Sequence, residues 1–330
     1  MAERGTGIPV VVAGLGEIGR AIARSVLEMP ELRLVGAVDP DPALAGRRLD
    51  EVLETPGTQV SVDAEPGRCF AAARGGVLLQ ATGSAFEEVR PQIEQAVRSG
   101  LSVASTCEEL AYPWLRHEAA AEALDRLCER NEVAVVGTGV NPGFALDRLP
   151  AFLSQVTGPV RHVEAVRVVD AATRRPALQR RVGAGLSEDA FQEAVDRGEI
   201  GHVGLAESAT LAALGCGLEL DEVEEEIDPV IAGRTFEGAI PVRPGQVAGV
   251  RHRARGHFDG REVVKLELVL ALGAERPRDE VSLDADPPLR LHVPGGVPGD
   301  QASAWAVVHA AAALPMLRGL ITVLDLPAGR

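Results

Sequence analysis

The chain has 330 residues, of which 46% are hydrophobic, and its formal net charge at pH 7 is −15. A chain of this length and apolar content can bury a large core and divide into two domains. The acidic balance argues against a nucleic-acid partner, because a phosphate backbone is bound by a basic face.

The cysteines and the apolar stretches restrict the cellular setting. The four cysteines are Cys69, Cys107, Cys128 and Cys216. They show neither a paired framework nor the spacing of metal ligands, so we expect a reduced, cytoplasmic protein without a metal site. The N-terminus lacks the apolar core of a signal peptide. The most apolar late stretch, residues 304–317, is shorter than a membrane span, so we expect no membrane partner.

The chain begins with a pattern that is typical of dinucleotide binding. The apolar run 8–13 precedes a Gly-x-Gly-x-x-Gly turn and an amphipathic helix over residues 17–29. In this motif the first glycine permits a tight turn, the second lets a pyrophosphate approach the backbone, and the third lets the helix pack on the strand. The alternative is a glycine-rich turn without a nucleotide. We assign to the cofactor the residues of this turn, which are Gly14, Gly16, Glu17, Ile18 and Gly19.

A carboxylate follows the second predicted strand. That strand spans residues 32–38 and ends at Asp39, twenty residues beyond Gly19. An acid at this place hydrogen-bonds the adenosine ribose hydroxyls, and it favours NAD because it repels the 2′-phosphate of NADP. Arg47 and Arg48 lie a few residues further along and could offset the repulsion, so NADP remains possible.

The remaining apolar runs predict two different sheets. Runs near 77–82, 101–106 and 133–138 alternate with helical stretches and predict a parallel sheet wound by helices. From residue 160 the pattern changes to longer strands, which predicts a second, largely antiparallel domain. These strands are expected at 163–171, 247–258, 263–272 and 289–293.

We divide the chain into a dinucleotide-binding domain over residues 1–145 and a second domain over 146–300. A final helix predicted over 301–320 is expected to pack back on the first domain. Within the second domain, Asp259-Gly260 predicts a hairpin whose basic face, Arg251 to His257 by period two, is solvated or paired with Glu262 and other acids. The acidic segment 221–228 is expected to be an exposed edge.

Three loops follow the carboxyl ends of strands in the first domain, where ligands bind in open parallel sheets. We assign Thr82 and Gly83 to contact with the cofactor ribose, and Thr106 and Cys107 to the same cofactor. Asn141 is expected near the carboxamide or the substrate. Each loop also has an ordinary interpretation: residues 81–84 as a strand-to-helix turn, and Asn141-Pro142 as the capped start of a helix.

Two adjacent acids, Glu108 and Glu109, come directly after the run 101–107. A carboxylate sheltered beside a nicotinamide has a raised pKa, which suits a group that transfers protons. Acids are also favoured in the first turn of a helix, here the one predicted over 112–130. Adjacent side chains cannot both face the same way, so we assign catalysis to Glu108, which is nearer the strand end, and keep Glu109 as the alternative.

An arginine cluster and three apolar side chains are candidates for substrate contact. The cluster consists of Arg167, Arg174, Arg175, Arg180 and Arg181. These cations either pair with surface acids, or one or two of them orient the catalytic glutamate or hold a substrate carboxylate, with Arg167 as the first candidate. Phe144, Leu178 and Trp305 are candidates for an apolar pocket lining, and each fits the core equally well.

Four blocks of the sequence together resemble the native amine dehydrogenases related to 2,4-diaminopentanoate dehydrogenase, within the dihydrodipicolinate reductase-like group. The blocks are Ala13–Gly19, Ser105–Leu110, Gly137–Gly143 and Val168–Arg175. The basic His-His-Arg-His-x-x-Lys stretch of dihydrodipicolinate reductase itself has no counterpart here, which argues against that activity.

The resemblance implies an α/β protein with an N-terminal Rossmann domain, a doubly wound parallel sheet, and a C-terminal α+β domain that binds substrate and forms a homodimer. It also implies reversible NAD(P)H-dependent reductive amination of a ketone or aldehyde with ammonia, with Glu108 as acid and base. Two alternatives stay open: a dehydrogenase of a diamino acid such as 2,4-diaminopentanoate, and a noncatalytic NAD-binding redox sensor.

Overall fold

The computed structural model describes residues 7–174 and 176–329. The chain forms two compact units. Of the described residues, the first unit contains those up to Phe144 together with those from Pro298 onward, and the second contains those from Ala145 to Val297. The C-terminal segment therefore belongs to the same unit as the glycine turn.

The described residues form the following elements. The strands are β1 (Ile8–Ala13), β2 (Leu32–Val38), β3 (Val62–Asp63), β4 (Val77–Gln80), β5 (Ser102–Ser105), β6 (Ala134–Gly137), β7 (His162–Asp170), β8 (Glu222–Ile231), β9 (Val247–Phe258), β10 (Arg261–Ala271), β11 (Arg278–Asp284), β12 (Leu289–Pro294) and β13 (Gly319–Ile321). The helices are α1 (Glu17–Glu28), α2 (Leu49–Leu53), α3 (Gly67–Ala72), α4 (Phe86–Arg98), α5 (Trp114–Asn131), α6 (Arg148–Ser154), α7 (Pro176–Arg181), α8 (Glu188–Asp196), α9 (Leu205–Gly215) and α10 (Gly299–Ala313). None of these helices is long and apolar enough to cross a membrane.

The first unit is built on a parallel sheet. Its strand order is β13-β6-β5-β4-β1-β2-β3, and every adjacent pair is parallel. This is the doubly wound Rossmann order with one added strand, which confirms the predicted fold class. Strands such as Val10–Val12 and Val77–Leu79 are fully buried, because helices cover both faces of a parallel sheet.

The C-terminal segment differs from its prediction. The helix predicted over 301–320 begins at Gly299, ends at Ala313 and continues only as a short 3₁₀ turn at Leu314–Met316. Pro315 explains the early end, since proline has no backbone N–H with which to continue the helix. Residues 319–321 form β13, which pairs with β6. The helix α10 packs on α1 and near β4 and β5.

The second unit is built on a mixed sheet in the order β12-β11-β7-β10-β9-β8. Only β7 and β10 pair in parallel among its described strands, so the sheet is largely antiparallel, as predicted. Its main core cluster joins side chains of β7, β9 and β10 to apolar residues of α8 and α9. The strands β8 and β11 were not predicted as strands.

The hairpin of the second sheet confirms the predicted pairing of its charges. Asp259 and Gly260 adopt φ values of 50° and 73° between β9 and β10, as a tight two-residue turn requires. The acids of β8 face the arginines of β9: Arg253 contacts Glu226 and Asp228, and Arg255 contacts Glu226 and Glu262. The strand β8 lies at the edge of the sheet.

Candidate active site

The carboxyl ends of five strands lie side by side in the first unit. Val38, Ala13, Gln80, Ser105 and Gly137 are paired in that order across the sheet. The backbone hydrogen bonds between these strands continue for one more residue. The N–H group that follows each of β1, β4, β5 and β6 donates to the last carbonyl oxygen of β2, β1, β4 and β5, respectively. The glycine turn and the three loops that were predicted to carry the site therefore start from one edge of one sheet.

The glycine turn is shaped by close backbone packing. A Cβ atom on Gly14, whose φ is 83°, would overlap the carbonyl oxygen of Ala81, and a Cβ atom on Gly19 would overlap the carbonyl oxygen of Gly14. Gly16 is exposed, and nothing lies within 4 Å of the place where its Cβ would be. Glu17 and Ile18 begin α1 directly after this open position. An open backbone at the N-terminus of a helix fits a pyrophosphate, so the turn fits a dinucleotide.

Asp39 ties the end of β2 to the glycine turn. Its half-buried carboxylate accepts hydrogen bonds from Leu15 N at 2.6 Å and from Asp41 N at 2.9 Å. Arg48 is paired with Asp50 at 2.5 Å, and Arg47 is exposed. The carboxylate is therefore held beside the turn by backbone N–H groups.

The predicted cofactor residues of the other loops lie at the same edge. Thr82 is exposed, Gly83 and Thr106 are half-buried, and Cys107 and Asn141 are buried. Burial raises the pKa of the Cys107 thiol to about 12, and the carboxylates of Glu108 and Glu109 act in the same direction. The thiol therefore stays protonated at neutral pH and serves as a donor, with Sγ 3.1 Å from the carbonyl oxygen of Ser84.

The two adjacent acids have different surroundings. Glu109 Oε2 accepts a hydrogen bond from Phe86 N at 2.7 Å and lies 3.2 Å from His117 Nε2. Phe86 is the first residue of α4, so Glu109 is an acid at a helix N-terminus, although the helix is α4 and not the predicted one after it. Glu108 is half-buried and lies between Cys107 and the short 3₁₀ turn Glu109–Ala111.

A buried polar chain, which was not predicted from the sequence, supports the loop after β5. Ser105 Oγ donates to Gln80 Oε1 at 3.0 Å and accepts from Cys107 N at 3.1 Å, while Gln80 Nε2 donates to Gln92 Oε1 at 2.7 Å. A signal was present, because Gln80 is a polar residue that ends an otherwise apolar strand. On the other side, a Cβ atom on Gly137 would overlap the backbone of Leu110 and Ala111, so this glycine lets the loop pack on β6.

The loop after β6 is held by the C-terminal helix. Val140 N donates to Ser303 Oγ of α10 at 3.1 Å, a contact that was likewise not predicted from the sequence. Asn141 does not cap a helix: the next helix, α6, begins at Arg148 with Asp147 as its N-cap. The helix-start interpretation of Asn141-Pro142 is therefore wrong.

The four predicted substrate residues are divided between the units. Phe144 is exposed and Trp305 is half-buried in the first unit, where the Trp305 ring stacks on His309 with centroids 5.4 Å apart. Leu178, half-buried on α7, and Arg167, on β7, belong to the second unit.

Arg167 is buried in an ion pair. Its Nη1 lies 2.7 and 2.6 Å from the two carboxylate oxygens of Asp279, and its Nη2 donates to the carbonyl oxygen of Val297 at 2.6 Å. Burial lowers the pKa of Arg167, and the charge of Asp279 opposes that shift. These contacts favour a structural role over contact with a substrate carboxylate.

Of the other cluster members, Arg174 is half-buried, Arg180 and Arg181 are exposed, and Arg175 lies outside the described residues.

Comparison with known proteins decides the family. A family model described as the 2,4-diaminopentanoate dehydrogenase C-terminal domain matches residues 144–330, which is more than half of the chain. The chain belongs to the 2,4-diaminopentanoate dehydrogenase family. This confirms the resemblance that the sequence motifs indicated.

Similar proteins match residues in both units of the chain. The 2,4-diaminopentanoate dehydrogenase of Acetoanaerobium sticklandii is 26% identical over 335 residues, covering 98% of this chain and 94% of that protein. The amine dehydrogenase of Streptomyces virginiae is 26% identical over 278 residues, covering 79% and 74%. The solved structure of an amine dehydrogenase from Mycobacterium smegmatis has the same fold, with a TM-score of 0.86 at 20% identity over 99% of this chain and 98% of that one.

Proposed function

We propose that this chain catalyses the reversible reductive amination of a ketone or aldehyde with ammonia and NAD(P)H, with Glu108 as the proton-transfer group. The family and its relatives make the chain an oxidoreductase that acts on amines with a nicotinamide cofactor. The observation that carries the assignment of Glu108 is its place beyond β5, two strands from the glycine turn in the sheet order. The resemblance also supports a homodimer.

We assign cofactor binding and proton transfer to different residues of the site. The glycine turn and the N-terminus of α1 would hold the pyrophosphate, Asp39 would contact the adenosine ribose, and a bound nicotinamide would supply or accept the hydride. Glu108 would take a proton from the attacking ammonia and return one to the departing water. In the reverse direction it would remove a proton from the substrate ammonium, which makes the nitrogen lone pair available.

Glu109 is the weaker candidate for this role. Its Oε2 already accepts from Phe86 N and contacts His117. Proton transfer through this carboxylate would weaken its contact with the N-terminus of α4. We therefore keep Glu108, the first of the two acids after β5, as the proposed acid and base.

A second candidate function is the oxidation of a diamino acid. The relative from Acetoanaerobium sticklandii, which aligns with nearly the whole chain, favours it. Because Arg167 is committed to Asp279, recognition of a substrate carboxylate would fall to another cation or to backbone N–H groups. A substrate panel that pairs each simple amine with its carboxylate-bearing analogue separates the two functions.

The test of the proposed function compares Glu108→Gln with the wild type. We expect turnover of amine to fall by roughly 10²- to 10⁴-fold, the usual contribution of a positioned proton-transfer group, while NADH binding, measured by fluorescence titration, is retained. Glu129→Gln, which changes an exposed acid of α5, is the matched control and should keep wild-type turnover. Wild-type turnover in the Glu108 variant would remove this residue from the mechanism.

The carbonyl panel tests the reaction class. We expect NADH to be consumed with ketones or aldehydes only when ammonia is present. Equal consumption without ammonia would instead identify a simple carbonyl reductase.

A further inference from the structure

We propose that Glu109 and His117 act as a positioning pair that holds Glu108 in place by tying the β5 turn (residues 106–109) to α5 and to the start of α4, which directly follows the β4 turn (residues 81–85). The inference rests on the proposed role of Glu108. It assigns a function in the reaction to two residues that are not expected to touch the substrate.

The first lock runs through the Glu109 side chain. This carboxylate, 20% exposed, accepts from Phe86 N, the first N–H of α4, at 2.7 Å and meets His117 Nε2 of α5 at 3.2 Å. The His117 ring packs against the fully buried ring of Phe86, with centroids 5.3 Å apart. One side chain of the β5 turn therefore joins the start of α4 to α5.

The second lock runs through one carbonyl oxygen of the β4 turn. Ser84 O accepts from Glu109 N at 3.3 Å and from Cys107 Sγ at 3.1 Å. Cys107 N is held in addition by Ser105 Oγ at 3.1 Å. Glu108 thus lies between two residues that are each tied to Ser84, two positions after Thr82 in the loop predicted to contact the cofactor.

The helix α5 is irregular at the residue that makes this contact. It departs from helical geometry at His117, with φ −134° and ψ 39°, and at this point the ring reaches Glu109. The other ring nitrogen, Nδ1, lies 3.9 Å from Glu87, an acid of α4 that also pairs with Arg90. The ring therefore has the carboxylate of Glu109 near one nitrogen and that of Glu87 near the other.

Position matters for a proton-transfer group. A misplacement of about 1 Å can cost on the order of 10²-fold in rate. A merely structural role for Glu109 would be that of an acid at the N-terminus of α4, which would contribute to stability alone. The two roles differ in their effect on kcat, since loss of stability alone leaves the turnover of the folded enzyme unchanged.

The experiment measures kcat, KM for the amine, NADH affinity and melting temperature for Glu109→Ala, Glu109→Gln and His117→Gln. For Glu109→Ala we expect kcat to fall roughly 10- to 100-fold, the scale of such a misplacement, with KM and NADH affinity close to wild type. Glu109→Gln keeps an oxygen that can accept from Phe86 N, so it should recover most of the lost kcat. Should Glu109→Ala not fold, His117→Gln, which leaves the Phe86 contact in place, must still lower kcat.

Ser187→Ala is the matched control. Ser187 Oγ caps α8 by accepting from Ala190 N at 3.2 Å, so its loss should lower the melting temperature and leave kcat unchanged. Wild-type kcat in folded Glu109→Ala and His117→Gln, beside an inactive Glu108→Gln, would overturn the positioning pair and leave the proposed function intact. Equal impairment of Glu109→Gln and Glu109→Ala would also overturn it, and full activity of Glu108→Gln would overturn both proposals.

Discussion

Gly16 is exposed, with nothing within 4 Å of its Cβ position, whereas a Cβ atom on Gly19 would overlap the carbonyl oxygen of Gly14. Alanine at position 16 therefore has room in the protein alone, and its φ of −64° is open to any residue. Alanine at position 19 would push α1 away from the turn. The motif thus contains one glycine that leaves room for a ligand and one that packing requires.

Alanine variants at positions 16 and 19 should separate the effect on ligand binding from the effect on packing. We expect Gly16→Ala to unfold with the same free energy as the wild type and to bind NADH more weakly, because the methyl group would occupy the proposed position of the pyrophosphate. Gly19→Ala should lose about 1–3 kcal/mol of stability, the usual cost of overpacking. Urea unfolding and NADH titration measure both. Unchanged NADH affinity in Gly16→Ala would show that the pyrophosphate lies elsewhere.

Asp39 holds the glycine turn and is proposed to contact the adenosine ribose, and one substitution can separate these two roles. Asp39→Asn keeps an oxygen that can accept from Leu15 N but removes the charge that repels a 2′-phosphate. We expect this variant to narrow a preference for NAD over NADP, measured as the ratio of the two kcat/KM values. Asp39→Ala, which also removes the contact with Leu15, should weaken both cofactors. An unchanged ratio in the asparagine variant would mean that the ribose is read by other residues.

At the scale of elements, β7 and β11 are joined by the buried pair of Arg167 and Asp279, which also holds both backbone groups of Val297. Val297 is the last residue of the second unit. The pair therefore fixes the segment from which the chain returns to the first unit. Breaking a buried pair leaves one charge without its partner, which costs more than replacing both residues.

Arg167→Met should therefore lose about 3–5 kcal/mol of stability, and the double variant Arg167→Met with Asp279→Leu should lose less. At a temperature where all variants are folded, KM values for a simple amine and for its carboxylate-bearing analogue should change by the same factor. If KM rose only for the carboxylate-bearing amine, Arg167 would instead be a residue that binds the substrate carboxylate.

At the scale of the whole molecule, the acidic edge strand β8 limits how two copies can associate. Its exposed residues Glu222, Glu224 and Glu226 would face one another if two such edges paired, and like charges opposite each other in a sheet are destabilising. An interface between copies is therefore expected away from this edge.

The expected homodimer is tested by light scattering. We predict a molar mass of twice the 34.6 kDa chain mass, and the same mass for Glu224→Lys, which alters only the edge strand. A wild-type mass of 34.6 kDa would contradict the dimer, and a changed mass in the variant would place the edge in the interface.

Much of the fold could be predicted from local sequence patterns, and the strands that were missed were missed for physical reasons. The limits of β1, β2 and β9 agree with the apolar runs at 8–13, 32–38 and 247–258. The strands β3 and β13 have two and three residues and carry too little periodicity to be recognised. The strand β8 was missed because its outward residues are acids, whose strand conformation depends on the arginines of β9.

The sequence by itself determined the glycine turn, the alternation of strands and helices in the first unit and the presence of an acid pair at the end of β5, because each is a local pattern of neighbouring residues. Only the tertiary structure decided what the polar side chains contact. Glu109 finds its partner 23 residues away in Phe86, and Arg167 finds its own 112 residues away in Asp279. The residue type fixes the charge and the hydrogen-bonding groups of a side chain, but folding decides which distant residue becomes its partner.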